Sequence, residues 1–302
     1  MTDLLKLGGE VAAALAENVA VVALESTVIA HGLPRPLNLE TALRLEQIVR
    51  DGGGVPATIA VLGGVLRVGL DREELEHVAR QEQVHKLSRR DLAVAVAKGW
   101  DGATTVATTA WVAARAGIKV FSTGGIGGVH RGALPDVSAD LPELAQTSLV
   151  VVCSGAKIVL DLPATREWLE THGVTVIGFG TDEMPAFYSR RSGLAVDVRA
   201  DSAEEVAEIA RARRGLGLEG ATLVCVPVPE EAEIPAESLS EILDEALEEA
   251  ARVNIAGREL TPFLLSRMGQ KSGGATLRAN VALLERNARV GAAVALALTR
   301  DC

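Results

Sequence analysis

The sequence contains very little cysteine. Cys153, Cys225 and Cys302 are its only cysteines, and no CxxC or CxxxH spacing occurs. An odd number of widely separated cysteines indicates neither a disulfide framework nor a structural zinc site. This pattern is typical of a reducing compartment, so we expect a cytoplasmic location.

Positive charge is also scarce. The chain has 30 Lys and Arg residues against 40 Asp and Glu residues, which gives a formal net charge of −10. Broad contact with a nucleic-acid backbone requires clustered cations, so we expect no nucleic-acid polymer as a partner. An anionic small molecule remains a candidate ligand if cations concentrate in one cleft.

Long apolar runs are absent as well. No run approaches the roughly 20 apolar residues that a membrane span requires. Acidic residues interrupt the first 27 positions, and no basic leader precedes them. We therefore expect neither a membrane segment nor a signal peptide.

Aromatic residues make up only 3% of the chain, whereas 48% of its residues are apolar. A core of Ala, Val, Leu and Ile favours α/β layers over a β sandwich. Val- and Ile-rich runs predict buried strands at 20–24, 57–62, 119–123, 148–153, 174–179 and 221–228. Amphipathic patterns predict helices at 37–51, 71–81, 88–99 and 202–215.

The alternation of these elements indicates βαβ units around a largely parallel sheet. Two long helices, at 235–254 and 274–298, follow without a strand between them. No linker or repeat divides the sequence, so we predict a single catalytic domain at 1–302.

Two nucleotide-binding motifs are absent or out of context. No GxxxxGK[ST] occurs. "GLGLEG" at 215–220 matches GxGxxG, but it follows a predicted helix and precedes a strand, the reverse of the dinucleotide-binding order. We interpret it as a loop.

Lysine is the scarcer cation, with six lysines against 24 arginines. A lysine directly after an apolar strand suggests chemistry that guanidinium lacks, namely deprotonation and attack on carbon. Lys157 in "VVVCSGAK" stands at such a point. The carboxyl ends of parallel strands line the usual ligand crevice, where desolvation favours the neutral amine. A surface lysine at the strand end is the alternative interpretation.

Polar residues follow other predicted strands. Glu25 ends the strand in "ALEST", where a carboxyl is a candidate acid or base, or else an exposed edge carboxylate. The segment 121–141, "FSTGGIGGVHRGALPDVSADL", combines ligand-approaching glycines with His130, Asp136 and Asp140. The two aspartates could bind a divalent ion or cap helices.

Three further segments carry candidate residues. Lys86 stands near Arg89 and Arg90 in "QVHKLSRRDLA", a cluster that fits phosphate recognition or a solvated helix N-terminus. "TTVATTAW" surrounds Val106 with threonines that could face a sugar or belong to a sheet surface. Asn280 in "LRANVALLERNA" would ordinarily be a polar residue on a helix face.

Taken in order, these segments resemble the pseudouridine-5′-phosphate glycosidases, also called the indigoidine synthase A family. The similarity rests on "LESTVIAHGLPRPLN" (24–38), "GGVPATIAVLGG" (53–64), "HKLSRRDLA" (85–93), "GATTVATT" (102–109), "STGGIGGVHRGA" (122–133), "DVSADL" (136–141), "VCSGAKIVLDLPAT" (152–165), "GTDEMPAFY" (180–188) and "NIAGRELTPFLL" (254–265). They cover nearly the whole chain and are long enough to be highly specific.

The resemblance implies a three-layer α/β/α fold with a largely parallel or mixed sheet, assembled as a homotrimer. It implies reversible conversion of pseudouridine 5′-phosphate into uracil and ribose 5-phosphate. Lys157 would be the nucleophile and Glu25 the proton donor. Asp136 would hold one divalent ion per subunit, usually Mn²⁺, with waters, and Lys86 and His130 would lie near the phosphate. Further substrate contacts would come from the Val106 backbone, Ser138, Ala139, Asp140 and Asn280.

The bond to be cut joins two carbons, C1′ of ribose and C5 of uracil. A carbon leaving group departs less easily than a protonated base nitrogen, so the two carboxylates of an ordinary glycosidase are insufficient. An amine can add at C1′, expel the base with its lone pair and leave an imine, a Schiff base, with the ring-opened sugar. This chemistry explains a lysine nucleophile.

Two alternatives remain at the level of sequence. Ser154 and Lys157 match the SxxK motif of serine acyl hydrolases, although the companion SDN and KTG motifs are absent. A non-catalytic sugar-phosphate-binding module would also use such cations and glycines.

Overall fold

A mixed sheet runs through the centre of the protein, whose computed structural model describes residues 4–131, 136–253, 255 and 260–300. The strands, in chain order, are β1 (Leu5–Leu7), β2 (Val21–Glu25), β3 (Val55–Leu62), β4 (Val65–Val68), β5 (His85–Leu87), β6 (Gly102–Thr104), β7 (Val120–Ser122), β8 (Val129–His130), β9 (Val150–Cys153), β10 (Leu160–Asp161), β11 (Thr175–Phe179), β12 (Val198–Ala200) and β13 (Thr222–Cys225). All belong to one sheet except β8 and β10, which pair antiparallel with each other. The described residues do not include Cys302. They also exclude parts of the segments that carry the family resemblance, namely residues 132–133, 254 and 256–259.

The strand order of the main sheet is β1-β4-β3-β2-β7-β9-β13-β11-β12, with β6 paired to β3 and β5 to β6. All neighbours from β3 to β12 are parallel. The chain leaves β2 towards β3 on one side and later enters β7 on the other side. This reversal marks the end of β2 and β7 as the expected ligand crevice.

Helices cover both faces of the sheet. They are α1 (Gly9–Ala16), α2 (Leu37–Asp51), α3 (Arg72–Arg80), α4 (Leu92–Lys98), α5 (Val106–Arg115), α6 (Asp140–Leu144), α7 (Leu162–Thr171), α8 (Ala203–Gly215), α9 (Ala236–Arg252), α10 (Leu260–Lys271) and α11 (Ala275–Thr299). The last of these packs on β2, β7 and β9, where Gly291 allows close approach, since an added Cβ would lie 3.2 Å from the Cβ of Ser122. None of the helices described combines the length and apolar sequence needed to cross a lipid bilayer.

The six predicted strands are confirmed, with ends shifted by up to three residues. The helix at 37–51 is confirmed at both ends, and Asp71 and Ser202 accept hydrogen bonds from the first turns of α3 and α8. The sheet-surface interpretation of "TTVATTAW" is wrong, because Val106 begins α5 directly after β6. Sequence analysis also missed α10, whose Pro262 is tolerated only because it stands in the first helical turn.

Candidate active site

The carboxyl ends of β2, β7 and β9 open into a cavity of about 340 Å³. Glu25 is the last residue of β2, a glycine-rich loop follows β7, and Lys157 stands shortly after β9. All ten predicted site residues line this cavity: Glu25, Lys86, Val106, His130, Asp136, Ser138, Ala139, Asp140, Lys157 and Asn280. The topology of the sheet therefore brings together residues that are distant in sequence.

Glu25 carries a carboxyl that favours its protonated form. The hydroxyl of Thr123 donates a hydrogen bond to Oε1 of Glu25. Desolvation by the surrounding protein raises the pKa of Glu25, although the residue keeps some exposure at the cavity wall. The positive charge of Lys157 and the Thr123 hydrogen bond offset part of this effect, and the charge of Asp140 adds to it. A carboxyl that keeps its proton to higher pH suits a general acid.

Thr27 is the second hydroxyl in contact with this carboxyl. Its own proton is donated to the carbonyl oxygen of Thr104. The hydrogen bond between Thr27 and Glu25 lowers the pKa of Glu25, as the Thr123 hydrogen bond does. Both hydroxyls therefore offset part of the desolvation that raises the pKa of this carboxyl.

Lys157 is held by a tight turn after β9. Gly155 has a φ of +78°, and a Cβ there would lie 2.2 Å from the carbonyl oxygen of Pro185. The turn therefore requires glycine. The backbone N–H of Lys157 then donates to the carbonyl of Ile126 at 3.1 Å, which ties the lysine to the loop after β7.

Asp140 connects two walls of the cavity. Its Oδ1 accepts from the N–H of Ala107 at 2.9 Å, and its Oδ2 accepts from the N–H of Gly127 at 2.8 Å. The first contact satisfies an N–H group at the start of α5, next to Val106, that has no partner within the helix. Gly127 is tightly enclosed, because a Cβ there would lie 2.2 Å from Oγ of Ser138.

His130 and Asp136 lie side by side on the same cavity wall. Nδ1 of His130 is 3.3 Å from Oδ2 of Asp136, but this buried nitrogen forms no hydrogen bond with the residues described. The Asp136 side chain is 55% exposed. A hydrated divalent ion needs only one or two carboxylates with waters, so Asp136 fits such an ion. The described residues contain no group of three or more His, Cys, Asp or Glu able to hold a metal, so waters and ligand oxygens would complete the shell.

The cationic residues in and directly after β5 have two different roles. Lys86 and Arg90 line the cavity. Arg89 instead donates to Oε2 of Glu143 at 2.7 Å, and the Glu143 side chain is only 2% exposed. This pair attaches the β5 segment to α6, so Arg89 is structural and does not contribute to the cavity lining.

Ser154 does not take the position that a serine nucleophile requires. It is fully buried and is not part of the cavity lining, and its Oγ lies 3.1 Å from Nδ2 of Asn287. The serine acyl hydrolase alternative therefore lacks structural support.

Several residues of the site were missed by sequence reasoning. Thr123 had no assigned role, although it contacts Glu25. Four further residues without an assigned role line the cavity: Phe187 and, in α10, Thr261, Pro262 and Leu265. Thr123 follows a predicted strand next to glycines, which was the available signal. The three α10 residues lie in the segment 254–265, which carries part of the family resemblance, but no local pattern indicated that they line a cavity, because that depends on where the helix packs.

Fold and site define an α/β protein with a small-molecule cavity at its strand ends, and comparison with known proteins narrows this class. The indigoidine synthase A like protein family model matches residues 10–297, so the chain belongs to that family. It is 51% identical over 302 residues to the pseudouridine-5′-phosphate glycosidase of Caldanaerobacter subterraneus subsp. tengcongensis, covering 99% of this chain and 98% of the relative. The Paracoccus denitrificans glycosidase of the same name is 54% identical, with 99% of each chain covered.

Two solved structures are similar over nearly the whole chain. An indigoidine synthase A-like protein from Thermotoga maritima aligns with a TM-score of 0.91 at 39% identity, covering 98% of this chain and 97% of its own. The prealnumycin C-glycosynthase AlnA, in complex with ribulose 5-phosphate, aligns with a TM-score of 0.90 at 40% identity and the same coverage.

Proposed function

We propose that this protein is a pseudouridine-5′-phosphate glycosidase that reversibly cleaves pseudouridine 5′-phosphate to uracil and ribose 5-phosphate. Full-length relatives at 51% and 54% identity carry this name, and a C-glycosynthase of the same fold was crystallised with a pentulose phosphate. The observation that carries the proposal is that a lysine and a carboxyl of raised pKa, Lys157 and Glu25, line one cavity with the cation Lys86.

The reaction begins with opening of the ribose ring. Glu25 donates its proton to the ring oxygen as the bond from that oxygen to C1′ breaks, and the neutral amine of Lys157 forms a bond to C1′. The ammonium formed on Lys157 returns a proton to the Glu25 carboxylate, which passes it to C5 of uracil. The nitrogen lone pair then forms the protonated imine and the C1′–C5 bond breaks, which releases uracil; hydrolysis of the imine returns its proton to Glu25. Water then hydrolyses the imine and releases ribose 5-phosphate, so one water is consumed overall.

Residues around Glu25 support its role as the acid. Desolvation raises the pKa of the carboxyl, which favours the protonated form that a general acid needs. The neutral amine of Lys157 is the form that can attack carbon.

The phosphate end would be formed by Lys86 and His130, with substrate contacts from the Val106 backbone, the turn 138–140 and Asn280. Asp136 would hold one hydrated divalent ion, Mn²⁺ in our proposal, beside Nδ1 of His130. Such an ion supplies positive charge to an anionic ligand. Holding the phosphate positions C1′ near Lys157, an effect that can contribute on the order of 7 kcal/mol or more to lowering the barrier.

Homotrimeric assembly and a cytoplasmic location stay predictions from the sequence. Analytical ultracentrifugation of the purified protein tests the first, since a trimer of a 31.5 kDa chain differs clearly in mass from a monomer or dimer.

The test of the proposed function is trapping of the imine. The protein is incubated with ribose 5-phosphate and borohydride, and uracil release from pseudouridine 5′-phosphate is measured in parallel. We expect one adduct, mapped to Lys157, that is absent from Lys157→Ala and Lys157→Arg and present in Lys98→Ala, a matched change at the end of α4. Binding of ribose 5-phosphate without adduct or uracil release would instead identify a sugar-phosphate-binding module.

A further inference from the structure

Asn287 is a buried polar residue outside the proposed chemistry. It lies in α11, its side chain has no exposed surface, and most of the buried residues of that helix are apolar. A buried amide is costly unless its polar atoms are hydrogen-bonded. The partners of this amide therefore indicate what it does.

The Asn287 side chain bonds two catalytic loops at once. Nδ2 donates to the carbonyl oxygens of Thr123 at 2.8 Å and Gly124 at 3.4 Å, in the loop after β7. It also lies 3.1 Å from Oγ of Ser154, in the turn after β9, and that hydroxyl is 3.3 Å from Oδ1. Because carbonyl oxygens only accept, the orientation of the amide is fixed.

One loop contacts the proton donor at the end of β2, and the other carries the nucleophile. Thr123 donates its side-chain hydrogen bond to Glu25. Ser154 leads through Gly155 to Lys157 within three residues. Asn287 thus contacts the two loops that lead to Glu25 and Lys157, and it does not line the cavity itself.

Backbone hydrogen bonds join the same two loops to each other. The N–H of Ser154 donates to the carbonyl of Gly124 at 2.9 Å, and the N–H of Ile126 donates to the carbonyl of Gly155 at 3.1 Å. These bonds set the loops side by side.

Further bonds attach each loop to the protein, since the carbonyl of Ser154 accepts from the N–H of Phe187 at 3.1 Å and the N–H of Gly127 donates to Asp140 at 2.8 Å. Asn287 differs from these in that a single side chain, on a long helix packed on the sheet, bonds both loops.

We propose that Asn287 is a positioning residue that sets the distance between the proton donor and the nucleophile by anchoring both loops to α11. The inference rests on the proposed glycosidase reaction. A displacement of about 1 Å in such a pair can cost about 100-fold in rate, so even a small relaxation of the loops is measurable.

The test compares Asn287→Leu, which keeps the size but removes all hydrogen bonds, with Val294→Ala, a buried position seven residues further along the same helix. We expect Asn287→Leu to lower kcat at least about tenfold, to slow borohydride trapping similarly and to leave KM within about threefold. Val294→Ala should lower the melting temperature but keep kcat. Ser154→Ala, which breaks only the link to the lysine turn, should give a smaller loss of kcat at unchanged KM.

A folded Asn287→Leu with the kcat and trapping rate of the unchanged protein would overturn the inference. If that variant does not fold, an unchanged kcat and trapping rate in Ser154→Ala overturns it instead. If the unchanged protein neither releases uracil nor forms an adduct, the proposed function and this inference fail together. If the unchanged protein is active but Asn287→Leu keeps the same kcat and trapping rate, only the inference about Asn287 fails.

Discussion

The hydroxyl of Thr123 donates a hydrogen bond to Oε1 of Glu25 across the neighbouring strands β7 and β2. The register creates this contact, because Leu24 stands opposite Ser122. Glu25, the last residue of β2, and Thr123, the residue after β7, therefore lie next to each other at the same edge of the sheet. The proton donor of the proposed reaction is thus tuned by a residue nearly 100 positions away.

Removal of this hydroxyl should shift the pH dependence of activity. The Thr123 hydrogen bond lowers the pKa of Glu25, so Thr123→Val raises it further. Glu25 acts protonated, and activity is lost as the pH rises through its pKa, so the alkaline limb of the kcat profile should move to higher pH. Thr58→Val is the matched control, since Thr58 donates to Glu46, a second carboxyl of raised pKa that does not line the cavity. A limb that moves in neither variant would contradict the role of Thr123.

Glu25→Gln should separate binding from turnover. Glutamine has nearly the same shape but cannot donate a carboxyl proton, so kcat should fall by about 100-fold or more. Affinity for ribose 5-phosphate, measured by calorimetry, should stay within about threefold. Glu46→Gln should retain full activity, and a fully active Glu25→Gln would remove Glu25 from the chemistry.

Substitutions of Arg89 and Arg90 should have different effects on stability, although the two residues are neighbours in the sequence. Arg89→Ala leaves the buried Glu143 carboxylate without its cation, so the free energy of unfolding in urea should fall by roughly 1–3 kcal/mol. Arg90→Ala removes an exposed side chain, which should change stability by no more than about 0.5 kcal/mol while raising KM. Equal effects on stability would contradict this division.

Asp136→Asn should weaken manganese binding. Titration of Mn²⁺ followed by electron paramagnetic resonance should show an affinity at least about tenfold lower than in the unchanged protein. Asp182→Asn, an exposed aspartate paired with Arg199, is the control and should bind Mn²⁺ normally. Exhaustive chelation should suppress uracil release and added manganese restore it. Equal Mn²⁺ affinity in Asp136→Asn would exclude Asp136 as the ligand.

The sequence alone determined the local elements and the chemical type of the main candidates. Apolar runs and 3.6-residue periodicity depend on neighbouring residues, so the strand ending at Glu25 and the helix at 37–51 were predictable. The scarcity of lysine pointed to Lys157, and polar residues after other predicted strands pointed to positions such as Glu25 and His130. The resemblance assigned their roles and added Ser138 and Ala139, and all of these residues line one cavity.

Only the tertiary structure decided how these residues are used. Lys86 and Arg89 are similar in sequence context, yet one lines the cavity and the other pairs with Glu143. The SxxK match at Ser154 could be judged only when its hydroxyl was found beside Asn287. Such partners are far apart in the chain, and whether they meet depends on strand order and helix packing, which no local pattern encodes.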